Sequence, residues 1–442
     1  MKLKNIVITI CVSALIQLPV FATTIQEAVR GAVKTNPDVL AEINLRRAVS
    51  AQIDKAEAGY LPSVDLTIGT GYESTDSPST RTAISHKKIS SNRNEASLNL
   101  RQMLFDGMET SNEVKRFTAL EKSQSYNVYG VAENTGLQAA EVYLNVLRWQ
   151  SLVDLAATNL DAHESTHAQI TLRSERGVGR KADTDQSQGR LALAKANLLA
   201  EESNLQDQET TYLRVVGDYP VNLSDPLFST SAIPETQEEA IAKAIDNHPT
   251  LKSANADIES AYAQYDTASA VFYPRVDLEI GATANNNLNG IDGHDNDVTA
   301  MIRLRYNLLN GGRDSARRIE TAYLINQAAE IRNNTLRQVE QSVRFSWNAL
   351  QTVKNQMQYF KAHVDSSLRS RDAYLQQFSL GQRTLLDLLD SENELFVARK
   401  ALANAQYDEL FANYRVLNSM GELLHNLAGQ LPQTALPVSD NN

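Results

Sequence analysis

Apolar positions along this chain change their spacing in a fixed order, and the whole order occurs twice. Over residues 24–60 they recur every three or four positions, the period of an amphipathic helix, with Pro37 either tolerated in an early turn or breaking off a short leading helix. After Pro62 the spacing drops to two. Val64, Leu66 and Ile68 fall on one face and Asp65, Thr67 and Gly69 on the other, which predicts a strand. Residues 73–93, rich in Ser, Thr, Asn and Asp, read as a polar loop, after which Leu98, Leu100 and Leu104 resume the alternation. Gly107 restarts a helical pattern that runs for roughly 60 residues, turns near Gly177 to Gly179, and returns for roughly 40 more.

The second passage repeats the first in detail. Glu27-Ala28-Val29, Ala32-Val33 and Asn36-Pro37 return as Glu239-Ala240-Ile241, Ala244-Ile245 and His248-Pro249, all displaced by 212 positions. Val64-Asp65-Leu66 and Val276-Asp277-Leu278 keep that displacement. Asp106-Gly107 and Asn310-Gly311 stand 204 apart, so the second copy has lost eight residues from its polar loop around residues 285–297. Near the far end Gly179, Asp185 and Tyr212 match Gly381, Asp387 and Tyr414 at 202. The chain is accordingly read as a leader over residues 1–22, a first structural repeat of helix, β-hairpin and long helical hairpin over 23–230, and a second over 231–442 with a C-terminal tail.

A helix of 60 residues is ~90 Å long, far more than a globular core requires. Small residues such as Ala192, Ala194, Ala196, Ala398, Ala401 and Ala403 permit close interhelix approach, so coiled-coil-like packing is expected. Beyond the first residues no run approaches the ~20 apolar positions of a membrane-spanning helix. Any bilayer crossing therefore falls to the strands, which have the length for a tilted crossing, with Tyr60, Phe272 and Tyr273 where an aromatic girdle lies. Four strands cannot close a membrane barrel, which needs at least ~8 and no free edge, so several copies must share one. The competing reading is a pair of ordinary amphipathic hairpins packed on their own helices.

The compartment follows from the first residues. Lys2 and Lys4, an apolar run over residues 6–18, Pro19 and the small-residue end at Ala22 read as a secretory signal peptide. The sole cysteine, Cys11, lies inside it and follows Ile10, too bulky for a lipoprotein-type site, so the exported chain uses neither disulfide nor lipid anchor. Losing Lys2 and Lys4 takes the formal charge from −11 to −13, which speaks against nucleic acid as a partner.

Candidate chemistry is sparse. Between the two long patterns of the second copy, Gly381 breaks the helix, Thr384 can cap the next, and Asp387 and Asp390 stand at i and i+3 on one face of its first turns, with Arg383 just upstream. These acids are either ordinary helix-start charges or a functional pair. His163-Glu164-Ser165-Thr166-His167 satisfies the zincin pattern, but Ile170 and Arg173 occupy the positions where the metzincin extension needs Gly and His. The acidic loop at Asp292, Asp295 and Asp297 lacks calcium-loop spacing. No nucleophile constellation or phosphate loop is present, so energy must come from a partner. Three classes remain open: a passive export duct, a zinc peptidase and a structural periplasmic coiled-coil protein.

The doubled plan, with Asn36-Pro37, Gly59-Tyr60-Leu61-Pro62-Ser63 and Leu380-Gly381-Gln382-Arg383-Thr384 followed by Asp387 and Asp390, resembles the TolC family of outer-membrane efflux and secretion ducts over essentially the whole exported chain. The Gly59–Ser63 stretch is most similar to the type I secretion branch. The resemblance implies a fold that is mainly α with a membrane β-barrel portion: a homotrimer with a twelve-stranded barrel, four strands per chain, on a periplasmic tube of twelve helices. It implies no cofactor, and as partners a periplasmic adaptor, an inner-membrane ABC exporter or other pump, and outer-membrane lipid. The expected role is the exit duct of type I protein secretion; the alternative is the outer-membrane part of a drug or small-molecule efflux pump. Carried over residue by residue, Asp387 and Asp390 match the family's aspartates around the periplasmic aperture. Arg383 matches the arginine that ties the inner coiled coil to its neighbour, Thr184 and Asp185 match the receivers of such ties, and Gly179 and Gly381 form the tip turns. Phe378 stands where the family has a tyrosine, so the hydroxyl of that part of the latch is missing.

Overall fold

The computed structural model describes residues 23–83, 88–228 and 232–427, so the expected leader and the chain beyond Leu427 lie outside the described residues. Helix α1 (Ile25–Thr35) begins at a reciprocal capping box between Thr24 and Glu27. Asn36 ends it and caps α2 (Pro37–Glu57) by accepting from the Asp38 N–H at 2.8 Å, with Pro37 at the first turn, so the proline separates two helices.

Strands β1 (Ser63–Thr75) and β2 (Ile89–Phe105) flank a short helix α3 (Pro78–Ala83). Both strands extend into the stretch read as a polar loop. Their outer ends, Thr70 to Thr75 paired with Asn94 to Ile89, are polar on both faces except at Tyr72 and Ile89, so alternation gave no signal there.

Residues 88–228 continue with α4 (Glu109–Glu175) and α5 (Lys181–Val216). The second repeat follows with α6 (Gln237–Asn247), α7 (Pro249–Ser269), β3 (Arg275–Asn286), β4 (His294–Arg305), α8 (Arg313–Ser379), α9 (Leu385–Met420) and the short α10 (Leu423–Leu427). Helices α4 and α8 both have 67 residues, about 100 Å at 1.5 Å per residue, and α5 and α9 both have 36. Their ends keep one displacement of 204 throughout, from Glu109 and Arg313 to Val216 and Met420. The match at 202 near the far end is thereby corrected: Gly177, not Gly179, is the structural counterpart of Gly381.

The strands form one antiparallel sheet in the order β1-β2-β3-β4. Register puts Leu66 opposite Leu98, Leu100 opposite Ile280, and Leu278 opposite Ile302, so one face is a continuous apolar field. The opposite face carries Asp277, fully covered by Arg101 at 2.8 Å, Arg275 at 3.3 Å and Arg305 at 2.6 Å. Strands β1 and β4 each have one unpaired edge within the chain, and Val64, Leu66, Ile68, Val298, Ile302 and Leu304 are exposed. An edge left open in lipid strands its backbone N–H and C=O groups, so this sheet is one segment of a larger barrel.

The main core lies part-way along the long helices, where α1, α2, α4, α5, α6, α8, α9 and α10 converge on Val29, Val39, Tyr143, Val146, Tyr212, Val343, Leu350, Tyr414 and Leu417. The Tyr143 hydroxyl is 2.8 Å from the Thr23 carbonyl and 2.6 Å from that of Ser224, pinning the start of the first repeat to the connection between repeats. A second cluster, of Ile170, Leu385 and Leu389 with Phe378 beside it, sits at the far end of the helices.

Candidate functional site at the helical tip

Both long hairpins turn through a glycine in the left-handed region. Gly177 has φ +75° and Gly381 φ +72°, each following a last helical turn closed by paired backbone bonds: Val178 N–H to Arg173 carbonyl at 3.0 Å, and Gln382 N–H to Gln377 carbonyl at 2.8 Å. Gly179 also lies in its turn, for a different reason: a Cβ there meets the Ser174 backbone nitrogen at 2.8 Å.

Beyond Gly381, Thr384 and Asp387 form a capping box, the Thr384 hydroxyl donating to the Asp387 carboxylate at 2.8 Å and accepting from the Asp387 N–H at 3.3 Å. The hydroxyl and backbone bonds from Thr384 hold the Asp387 carboxyl below the usual carboxylate range, with Arg383 assisting, so it stays ionised. Arg383 is 3.9 Å from Asp387, donates to Gln377 at 3.0 Å and lies over the Tyr374 ring at 4.3 Å. It therefore sits within its own turn, and within the chain no bond joins it to Thr184 or Asp185 among the described residues. Thr184 Oγ1 is covered and has no hydrogen-bond partner, while its carbonyl accepts from Ser187. Asp390 pairs across to Arg190 on α5 at 2.6 Å. Phe378 packs against Ile170, Leu385 and Leu389, with the Arg173 guanidinium 5.1 Å from its ring centroid.

Arg173, Arg190 and Ile170 were not legible as site residues. Arg190 and Asp390 are 200 positions apart on different hairpins, and no local spacing connects them. The zincin-like residues are each engaged in helix packing. His163 is buried, and burial holds its imidazole below the usual range, Glu392 opposing and Arg190 reinforcing. Glu164 pairs with Lys195 at 3.4 Å, and His167 Nδ1 is 2.8 Å from the Ser187 hydroxyl.

An amphipathic four-stranded sheet with open edges, carried on helical hairpins about 100 Å long, defines a shared-barrel outer-membrane duct. The chain belongs to the outer membrane efflux protein family, whose sequence profile matches residues 28–218 and again 240–422. It is 26% identical over 333 residues to the outer membrane efflux protein BepC of Brucella suis biovar 1, covering 75% of this chain and 73% of the relative. To the outer membrane protein TolC of Escherichia coli K12 it is 26% identical over 414 residues, covering 88% and 80%. To the alkaline protease secretion protein AprF of Pseudomonas aeruginosa it is 23% identical over 325 residues, covering 72% and 67%. The outer-membrane channel OprN shares its fold, with a TM-score of 0.77 over 90% of both chains at 16% identity. The family consists of passive channels of the outer membrane that extend into the periplasm, act as trimers with an adaptor and an inner-membrane pump, and are not enzymes. The zinc-peptidase and soluble-spacer classes are thereby set aside.

Proposed function

We propose that this chain is the exit duct of a type I protein secretion system, opened and closed at its periplasmic tip, with residues 23–230 and 231–442 acting as two structural repeats of one protomer. The observation that carries the gate is the Thr384–Asp387 capping box, which fixes an ionised, solvent-facing carboxylate at the end of the helical tube. Three copies around an axis make a ring of like charges that attracts cations. Asp390, Arg383, Thr184, Asp185 and Phe378 complete the tip, Arg383, held on Gln377 and Asp387 within its own chain, turning in the trimer to a neighbouring protomer's Thr184–Asp185 region, where the Asp185 carboxylate is exposed. The secretion role is supported by the likeness to AprF and by the Gly59–Ser63 stretch, and the partner is then an ABC exporter with its adaptor. The likeness to BepC favours the second reading, small-molecule efflux.

Two measurements test this. In planar bilayers, a multivalent cation on the periplasmic side reduces conductance, and Asp387→Ala weakens that block while leaving the trimer intact. Block that is indifferent to Asp387 returns this residue to an ordinary helix-start acid. Crosslinking in cells followed by purification of the inner-membrane partner separates the roles: a protein-exporting ATPase supports secretion, and a proton-driven drug pump overturns it.

A further inference from the structure

We infer that a cleft between α4, α7 and the start of α10 binds a small zwitterion, a molecule carrying both a carboxylate and an ammonium, such as a free dipeptide. The site is separate from the helical tip and does not depend on the gate.

The cleft has a volume of about 340 Å³, enough for a small ligand, and is lined by Tyr126 and Tyr129 of α4, Pro249 and Lys252 of α7, and Glu422 and His425 around the start of α10. Its walls are fixed from behind. A Cβ on Gly130 meets Pro249 Cγ at 3.7 Å, so α4 and α7 run close together there. Glu133, one turn along α4 from Tyr129, accepts the Leu423 and Leu424 N–H groups and sets where α10 begins. The polar groups on the cavity side are unspent. Among the described residues the Lys252 ammonium and the Tyr126 and Tyr129 hydroxyls have no hydrogen-bond or ion-pair partner. Glu422 accepts from the Asn247 amide at 3.0 Å, and no ion pair joins it to Lys252. One cation and one anion therefore line the same cavity without neutralising each other. A plain anion meets Glu422 as a like charge and a plain cation meets Lys252 so, whereas a zwitterion answers both. Burial, with Glu133 and Glu422 adding to it, pushes the Tyr129 hydroxyl up to about 12, so at neutral pH it remains a donor for the carboxylate end.

The repeat supplies a comparison. The counterparts of Tyr126, Tyr129 and His425 at a displacement of 204 are Glu330, Asn333 and Val221, and that of Lys252 at 212 is Leu40, so the other repeat offers neither ammonium nor phenol. The shared fold does not require these groups. Sheet order also keeps the cleft away from the seams between copies: α4 follows β2 and α7 leads into β3, the two inner strands, while the open edges belong to β1 and β4.

The test is calorimetric titration of the detergent-solubilised trimer with alanyl-alanine, with its N-acetyl form, which keeps only the carboxylate, and with its C-terminal amide, which keeps only the ammonium. The free dipeptide binds roughly tenfold more tightly than either capped form, each having lost one charge-assisted bond. Lys252→Met weakens the free dipeptide by a similar factor and leaves the amide unaffected; Glu422→Gln does the same for the free dipeptide and leaves the N-acetyl form unaffected. A trimer band on native gels establishes that each variant has assembled. No binding, equal binding of all three probes, tightest binding of a capped form, or free-dipeptide binding indifferent to both substitutions overturns the assignment. None of these outcomes touches conductance or cation block, so the duct reading stands or falls separately.

Discussion

Gly381 and Gly421 have the same backbone conformation, φ +72°, and opposite surroundings. A Cβ on Gly381, at the tip, meets nothing within 4 Å; a Cβ on Gly421, at the end of α9 in the main core, meets Pro249 Cδ at 2.8 Å and His248 Cα at 3.0 Å. One glycine is needed only for its dihedral, the other for its dihedral and its lack of bulk. The same difference separates the two regions generally. Around the main core eight of the described helices converge and even a carboxylate is enclosed: Glu133 is 2% exposed, its oxygens accepting from the Leu423 and Leu424 N–H groups at 3.2 and 3.0 Å. At the tip three buried aliphatic residues and one ring form the whole apolar contact. Regions with little buried apolar area open locally at low free energy, so the molecule is built to stay assembled at one level and move at the other.

The largest test of that contrast compares two leucines. Leu350→Ala in the main core leaves a cavity that dense packing cannot fill and lowers stability by about 2–5 kcal/mol, read as a drop in the melting temperature of the detergent-solubilised trimer. Leu389→Ala removes the same atoms from the tip and leaves that melting temperature nearly unchanged, increasing protease cleavage in the residue 380–384 turn instead. Equal losses of melting temperature erase the distinction between the regions.

Glu133 gives the next effect. Burial, opposed by its backbone and Asn418 hydrogen bonds, pushes its carboxyl up to about 8 from an ordinary 4.5. Between those values the unfolded chain has released the proton and the native chain retains it. Stability is therefore greatest below the lower value and falls as pH rises through the window, by about 1.4 kcal/mol per unit. Urea unfolding at pH 5 and pH 8 measures the slope, and Glu133→Gln, which cannot ionise, reduces it by this amount. A variant with the wild-type slope assigns the pH dependence elsewhere.

The smallest effect is at Gly381. With open space around it, Gly381→Ala costs only the left-handed conformation, about 1 kcal/mol, and shows as faster amide exchange in residues 378–384 without loss of trimer. Destabilisation extending into the main core makes the tip and core one cooperative unit.

Local periodicity and turn chemistry were enough to establish the doubled order of elements, the lipid-facing alternation of Val64, Leu66 and Ile68, the reversal at Gly381 and the cap at Thr384. Each depends on residues within one or two turns of one another, and spacing alone reports that. The outer strand ends were illegible because residues polar on both faces erase the period. The equivalence of Gly177 with Gly381 was misassigned because two nearby glycines look alike until their dihedrals are known. Only the tertiary structure decided that Asp390 meets Arg190, that Phe378 turns to Ile170 and Arg173, that Arg383 stays in its own turn, and that Glu133 is enclosed by the start of α10. These contacts join positions far apart in the chain or choose among several partners within reach, and the choice is made by how whole hairpins pack, not by the residues' spacing.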